Sequence, residues 1–154
     1  MKHSLVSLII WVVVCLGMGA SGSFVTPGDW YAQINKPAWV PPNYIFGPVW
    51  TILYIMMGVA AWLVWKQGGF SGTAPALTFF IIQLVLNAAW TWIFFGLHRP
   101  GLAFLEILVL WLAIVITIMA FWRVRPLAAG LLIPYLCWVS FASILNYSIW
   151  RLNQ

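Results

Sequence analysis

The sequence predicts an all-α integral membrane protein: a single bundle of five transmembrane helices over residues 1–154, with almost no soluble domain. Three observations predict it. First, 64% of the residues are hydrophobic and 6% charged, and the mean hydropathy is +1.00; soluble domains carry roughly 25% charged residues. A soluble fold of this size cannot cover its surface with so few polar groups, whereas in lipid apolar side chains face the solvent. Second, the charged residues divide the chain into five long apolar runs, and a helix needs roughly 20 apolar residues to span a bilayer. Third, Pro48, Pro75, Pro100 and Pro126 each stand near the start of a run. A missing N–H costs nothing there, and the fixed φ suits a first helical turn. Strand spans are excluded because barrel strands alternate apolar and polar residues, and these runs are apolar throughout.

The first span is expected over 5–23. Lys2, the apolar stretch and Gly19-Ala20-Ser21-Gly22 also imitate a signal peptide. The run is long enough to span, however, and the pairs Gly17/Ser21 and Gly19/Ser23 equally suit close helix packing. Residues 24–43 follow as one long connection with Pro27, Pro37, Pro41, Pro42, Trp30, Tyr31, Trp39, Asp29 and Lys36. Loops of this length are uncommon and usually functional, and this one is too apolar for a flexible linker. It is expected to pack down as a lid.

The second span, 44–65, places Trp50, Tyr54 and Met57 three or four residues apart. The third, 74–96, places Gln83, Asn87, Trp90 and Phe94 at spacings of four, three and four. The fifth, 127–150, places Tyr135, Trp138, Ala142 and Leu145 at three, four and three. Each set shares one helix face. Three such faces, aromatic with a few polar tips, suit one flat apolar pocket. The competing reading has Gln83 and Asn87 bonding across helices as glue while the aromatics fill the core.

The fourth span, 101–122, holds Glu106, the only acid inside a predicted span. An ion pair with Arg151 is its simplest role; proton coupling would need a second titratable group, and none is visible. His3 and His98 fall at span ends, and Cys15 and Cys137 within apolar runs. No metal site is expected, because a metal wants converging ligands that this interior lacks. Ser140 and Ser143 have no interior His or Asp to activate them, which argues against hydrolytic chemistry. Seven scattered basic residues, two acids and a net charge of +5 make no patch dense enough to follow a phosphate backbone, so nucleic acid is not an expected partner.

With five spans, Lys2, Lys66, Arg123 and Arg125 share one side, and Lys36, Arg99 and Arg151 the other. This bias favours a cytoplasmic N-terminus, with the long connection outside. Residues Leu145, Tyr147 and Arg151 match the loose pattern proposed for cholesterol contact, which many amphipathic span ends satisfy. Ala88, Ala89 and Thr91 are short enough to let two copies approach in a homodimer, although the second and third spans contain no Gly-x-x-x-Gly.

The segments WYAQINKPAWVPPNYIFGPVWTILYIMMGVAAW, LNAAWTWIFFG and LLIPYLCWVSFASILNYSIWRLN resemble the TspO/MBR family of tryptophan-rich sensory and translocator proteins, which includes the peripheral-type benzodiazepine receptor. The likeness runs from about Asp29 to Asn153. It implies a five-helix bundle, often dimeric, that binds porphyrins such as protoporphyrin IX, cholesterol-like sterols and benzodiazepine-site drugs beneath the long loop. By the resemblance, Trp39, Trp50, Asn87, Trp90, Trp138 and Ala142 belong to the pocket, beside the Tyr54 and Tyr135 of the helical faces. Leu145, Tyr147 and Arg151 become the sterol contact. Porphyrin carboxylates would favour a basic rim at Lys36, Arg99 and Arg151, and no cofactor is needed beyond the porphyrin as ligand. A metal-free tetrapyrrole needs stacking surface and no axial ligand, which agrees with an interior lacking histidine. The expected function is a membrane receptor or sensor for porphyrins. Its rivals are light-dependent porphyrin breakdown through Trp50 and Trp138, and a porphyrin or sterol transporter.

Overall fold

A computed structural model describes residues 2–25 and 27–154, together with their side chains except those of Lys2 and His3. The expectations placed on the Lys2 charge and on His3 lie outside the described side chains. Seven α-helices follow one another, and no strand occurs among the described residues. They are α1 (Lys2–Ala20), α2 (Gly28–Gln33), α3 (Asn43–Trp65), α4 (Gly69–Thr91), α5 (Pro100–Val124), α6 (Pro126–Leu131) and α7 (Ile133–Leu152). A 3₁₀ turn, Ser21–Phe24, extends α1, and a π-helical turn, Trp92–Gly96, extends α4. With those extensions, five segments are long and apolar enough to cross a membrane: Ser4–Phe24, Asn43–Trp65, Gly69–Gly96, Pro100–Val124 and Pro126–Leu152. The chain is a multi-pass integral membrane protein in a lipid bilayer.

Two spans are less regular than the apolar runs suggest. The third starts at Gly69, ahead of the expected 74, and bends at Thr73, where φ −132° and ψ 26° leave the helical region. Pro75 stands in the first turn beyond the bend and supplies no N–H to the carbonyl of Ser71, so no helical hydrogen bond from that position crosses the break. The fifth, expected as one helix, is divided into α6 and α7 at Leu132. Pro134 in the first turn of α7 supplies no N–H to the carbonyl of Gly130. The long connection is also more ordered than a loop, because α2 forms inside it.

Helix packing follows the small residues. A Cβ on Gly58 of α3 would run into the Val12 backbone of α1, so this glycine sets how closely the two helices approach. The interior is filled by Met57, Leu77, Phe80, Leu110, Ile114, Phe121 and Tyr135, all almost fully buried. Leu105, Val109, Leu112, Ile116 and Met119 stand exposed on α5, as expected where hydrocarbon is the solvent. A second cluster, Tyr31, Phe94, Ala103, Leu145 and Ile149, ties α2 to the helix ends on one side of the bundle. The candidate site lies beside it.

Candidate functional site

A cavity of about 350 Å³ opens beneath α2 among α1, α3, α4 and α7. From α3 it takes Asn43, Phe46, Trp50 and Tyr54, which recur every three or four residues and so share a face. Trp90 and Thr91 come from α4, and the π-helical turn adds Phe94 and Phe95. Such turns concentrate at functional sites because one extra residue re-aims its neighbours. Helix α7 contributes Trp138, Ala142, Leu145, Asn146 and Ile149. Gly19 and Gly22 form the α1 side, Val25 and Pro27 the connection, and Tyr31 of α2 the roof.

The walls are aromatic and interlocked. Trp50 stacks on Tyr54 with centroids 5.6 Å apart and meets Trp138 edge-on at 6.4 Å. Phe46 lies 5.8 Å from Trp138, and Trp90 stacks on Phe94 at 5.1 Å. Among the described residues, no charged side chain lines the cavity. The Trp138 indole Nε1 is buried and donates to no acceptor among the described residues, although buried polar groups are nearly always paired.

Under the floor runs a chain of hydrogen bonds that ties three helices together. The Tyr54 hydroxyl donates to Asn87 Oδ1. Asn87 Nδ2 donates to the Tyr135 hydroxyl at 2.9 Å, and that hydroxyl donates to Gln83 Oε1 at 2.8 Å. Gln83 Nε2 ends the chain 3.9 Å from Met57 Sδ. Higher up, Trp90 Nε1 donates to Asn146 Oδ1 at 2.9 Å, and Asn146 Nδ2 donates to the Pro100 carbonyl at 2.8 Å. These bonds fix the rings that form the walls. Polar side chains inside apolar spans thus serve as cross-helix ties and as the base of a cavity at once.

The description TspO/MBR family matches residues 11–151. The tryptophan-rich protein TspO of Chlorobaculum tepidum is 44% identical, covering 99% of both chains. The translocator protein of Homo sapiens is 47% identical over 81% of this chain and 75% of its own length. A tryptophan-rich sensory protein of Cereibacter sphaeroides is 36% identical over 94% and 90%.

The chain belongs to the TspO/MBR family. Kinship with proteins named for sensing and translocation supports a membrane sensor or transporter role.

Within this TspO/MBR fold, Trp50, Tyr54, Trp90, Trp138, Ala142 and Leu145 border the cavity. Asn87 and Tyr135 stand behind the wall, in the hydrogen-bond chain. Trp39 is outside the lining: it is about half exposed and packs edge-on against Phe141 at 5.9 Å. The three residues of the sterol pattern part company. Leu145 points into the bundle, whereas Tyr147 and Arg151 are exposed, because steps of two and six residues do not keep one helix face.

The expected ion pair of Glu106 with Arg151 does not form. Both Glu106 carboxyl oxygens are buried without a hydrogen-bond partner, and Arg151 Nη1 instead donates to Gln154 Oε1 at 3.1 Å. Phe104, Tyr147 and Trp150 occupy the α5–α7 seam at this end. The rim also differs from expectation, since the Lys36 ammonium donates to the carbonyls of Tyr31 and Ile34 and lies over the Tyr31 ring. Of the residues named for a dimer, Thr91 faces the cavity.

Several lining residues escaped the sequence reading. Asn43 and Phe46 continue the Trp50–Tyr54 face by one more turn, so the same periodicity would have found them. Gly19 and Gly22 look like packing residues; the structure sets the Tyr54 ring against one and the Thr91 methyl against the other. Asn146 continues the Trp138–Ala142 face by one more turn and is polar inside a span, so the same periodicity would have found it, whereas Phe95 carried no signal, because the π turn that aims it is not written in the apolar pattern.

Proposed function

We propose that this protein is a membrane receptor or sensor that binds porphyrins such as protoporphyrin IX in the cavity under α2. Related apolar ligands, sterols and benzodiazepine-site drugs among them, would share the site. One observation carries the reading: a cavity walled by Trp50, Trp90, Trp138, Phe46, Phe94 and Phe95, with no charged side chain and no partner for the Trp138 N–H among the described residues. Flat aromatic walls suit a flat macrocycle, and a buried unpaired donor favours a ligand that brings an acceptor. Carboxylates on the ligand would stay at the lid end, where Arg99 and Arg151 are exposed.

Titration of the purified protein with protoporphyrin IX tests it through tryptophan fluorescence. Saturable quenching is expected, weakened in Trp138→Phe; quenching that stays linear across the titration would end the proposal.

A second reading, light- and oxygen-dependent porphyrin breakdown, draws on the Trp50–Trp138 pair set edge-on at 6.4 Å in the cavity wall. Porphyrin absorbance under illumination separates it from binding, and loss unchanged in the double Phe variant would exclude it. A transporter would use the same cavity, and liposome flux is its discriminating measurement. The homodimer and the cytoplasmic N-terminus belong to the same proposal, and crosslinking and labelling in native membranes test them.

A further inference from the structure

The end of the bundle opposite the cavity carries positive charge with nothing to balance it. Helices α3 and α5 both run away from the cavity end, α3 closing at Lys66 and α5 just past Arg123. Helix α6 starts from Arg125 and packs against both. Lys66, Arg123 and Arg125 are thereby gathered at one end, and all three are exposed. The chain has two acids. Asp29 lies in the first turn of α2 and Glu106 in the second turn of α5, so both belong to the cavity half and neither reaches these cations.

The cations of the two ends also differ in what occupies them. At the cavity end Lys36 is spent on the Tyr31 and Ile34 carbonyls, and Arg151 donates to Gln154. At the opposite end Lys66 is set over the Trp62 ring, 4.4 Å from its centroid, and Trp62 is itself held by donating to the Ser4 carbonyl at 2.9 Å. Arg123 lies in the last turn of α5, where a cation offsets the negative end of the helix dipole. Arg125 stands beyond that turn, in extended backbone with φ −151° and ψ 102° that joins α5 to α6.

Apolar surface adjoins this charge. Trp122 and Leu127 are exposed on either side of the arginine pair, and Met119 is exposed one turn before Trp122. Gly130 shares the Leu127 face, and a Cβ there would meet nothing within 4 Å, so the strip along α6 is open. Tryptophan beside arginine at a span end marks the boundary between hydrocarbon and headgroups. A free anion needs no apolar strip; a lipid with a charged head and acyl chains uses both features.

We propose that the α5–α6 turn, with Lys66 at the same end, binds an anionic glycerophospholipid. Its phosphate lies against Arg123 and Arg125, and an acyl chain follows Met119, Trp122 and Leu127. Guanidinium forks match phosphate oxygens, and each basic side chain at a membrane surface adds attraction for anionic lipid. Arg125 carries the larger share, because it is not engaged by the end of α5. The site is separate from the cavity and does not rest on the porphyrin reading.

Native mass spectrometry of the full chain in detergent, offered dioleoyl phosphatidylglycerol and dioleoyl phosphatidylcholine in equal amounts, tests it. Wild type should retain phosphatidylglycerol in preference. Arg123→Gln/Arg125→Gln should lose roughly tenfold to thirtyfold of that preference, the range two basic side chains supply at a membrane surface. Arg125→Gln alone should lose more than Arg123→Gln alone, and Arg123→Lys/Arg125→Lys, which keeps the charge, should retain most of it. Equal retention of the two lipids by wild type, or a preference undiminished in the double Gln variant, would overturn the site. Glycerol phosphate in excess should leave the lipid bound; displacement would reveal a bare anion site and overturn the lipid reading. Should the double Gln variant not fold, wild type still decides the matter: raising the ammonium acetate about tenfold should shrink the preference by screening, and indifference to salt would overturn it.

Discussion

Asn87 is the residue on which the cavity floor depends, accepting from Tyr54 and donating to Tyr135. Replacing it with Ala leaves two buried hydroxyls short of partners on separate helices. Cross-helix hydrogen bonds in membranes contribute modestly, so Asn87→Ala should cost about 1–2 kcal/mol, read as a lower melting temperature in detergent. The cost should fall in a Tyr54→Phe background, where one of the stranded groups is already gone. Tyr31 offers a pH test. Burial raises its phenol above the ordinary 10.0, so docked α2 favours the neutral form. Its contribution is complete below pH 10 and is lost as the pH climbs through the raised value, because the phenolate forms more readily when α2 comes away. Amide hydrogen exchange at residues 31–34 should therefore accelerate above pH 10 more in wild type than in Tyr31→Phe, once intrinsic exchange rates are divided out.

Among the elements, α1 and α3 show how a missing side chain sets geometry. With Gly58 against the Val12 backbone, Gly58→Ala forces the helices apart and should destabilise by about 1–3 kcal/mol, detectable by thermal unfolding. Gly17→Ala, where nothing stands within 4 Å, is the matched control and should be near neutral or slightly stabilising through helix propensity. The separation of α1 and α3 also governs the cavity, because Gly19 and Tyr54 meet on the same seam. Helix α2 is the element that a reading by hydropathy misses. Six residues are too few to show a helical period, and its folding depends on the partners it docks against.

For the molecule as a whole, lipid replaces water as the medium around most of the surface. The outward residues of α5 are as apolar as its inward ones, so helices associate through shape, small residues and hydrogen bonds. The protein should accordingly remain in the membrane pellet after an alkaline carbonate wash and enter solution only with detergent, as immunoblotting of the two fractions would show. The lid end and the opposite end differ in more than charge. One carries the cavity, the aromatic cluster and α2, while the other is closed by packed apolar side chains such as Trp11, Phe80 and Phe121.

By itself the sequence determined the five spans, because twenty or so apolar residues in lipid leave helix as the only way to satisfy the backbone. It also determined the faces bearing Trp50, Tyr54, Asn87, Trp90, Tyr135 and Trp138, because helical periodicity is a local property. The tertiary structure decided which of these meet the cavity and which stand behind it, as with Asn87 and Tyr135. It also decided that Trp39 lies aside, that Glu106 and Arg151 remain apart, and that Lys36 is engaged by carbonyls. Those outcomes depend on distances between helices and on turns at their ends, which composition and spacing do not encode.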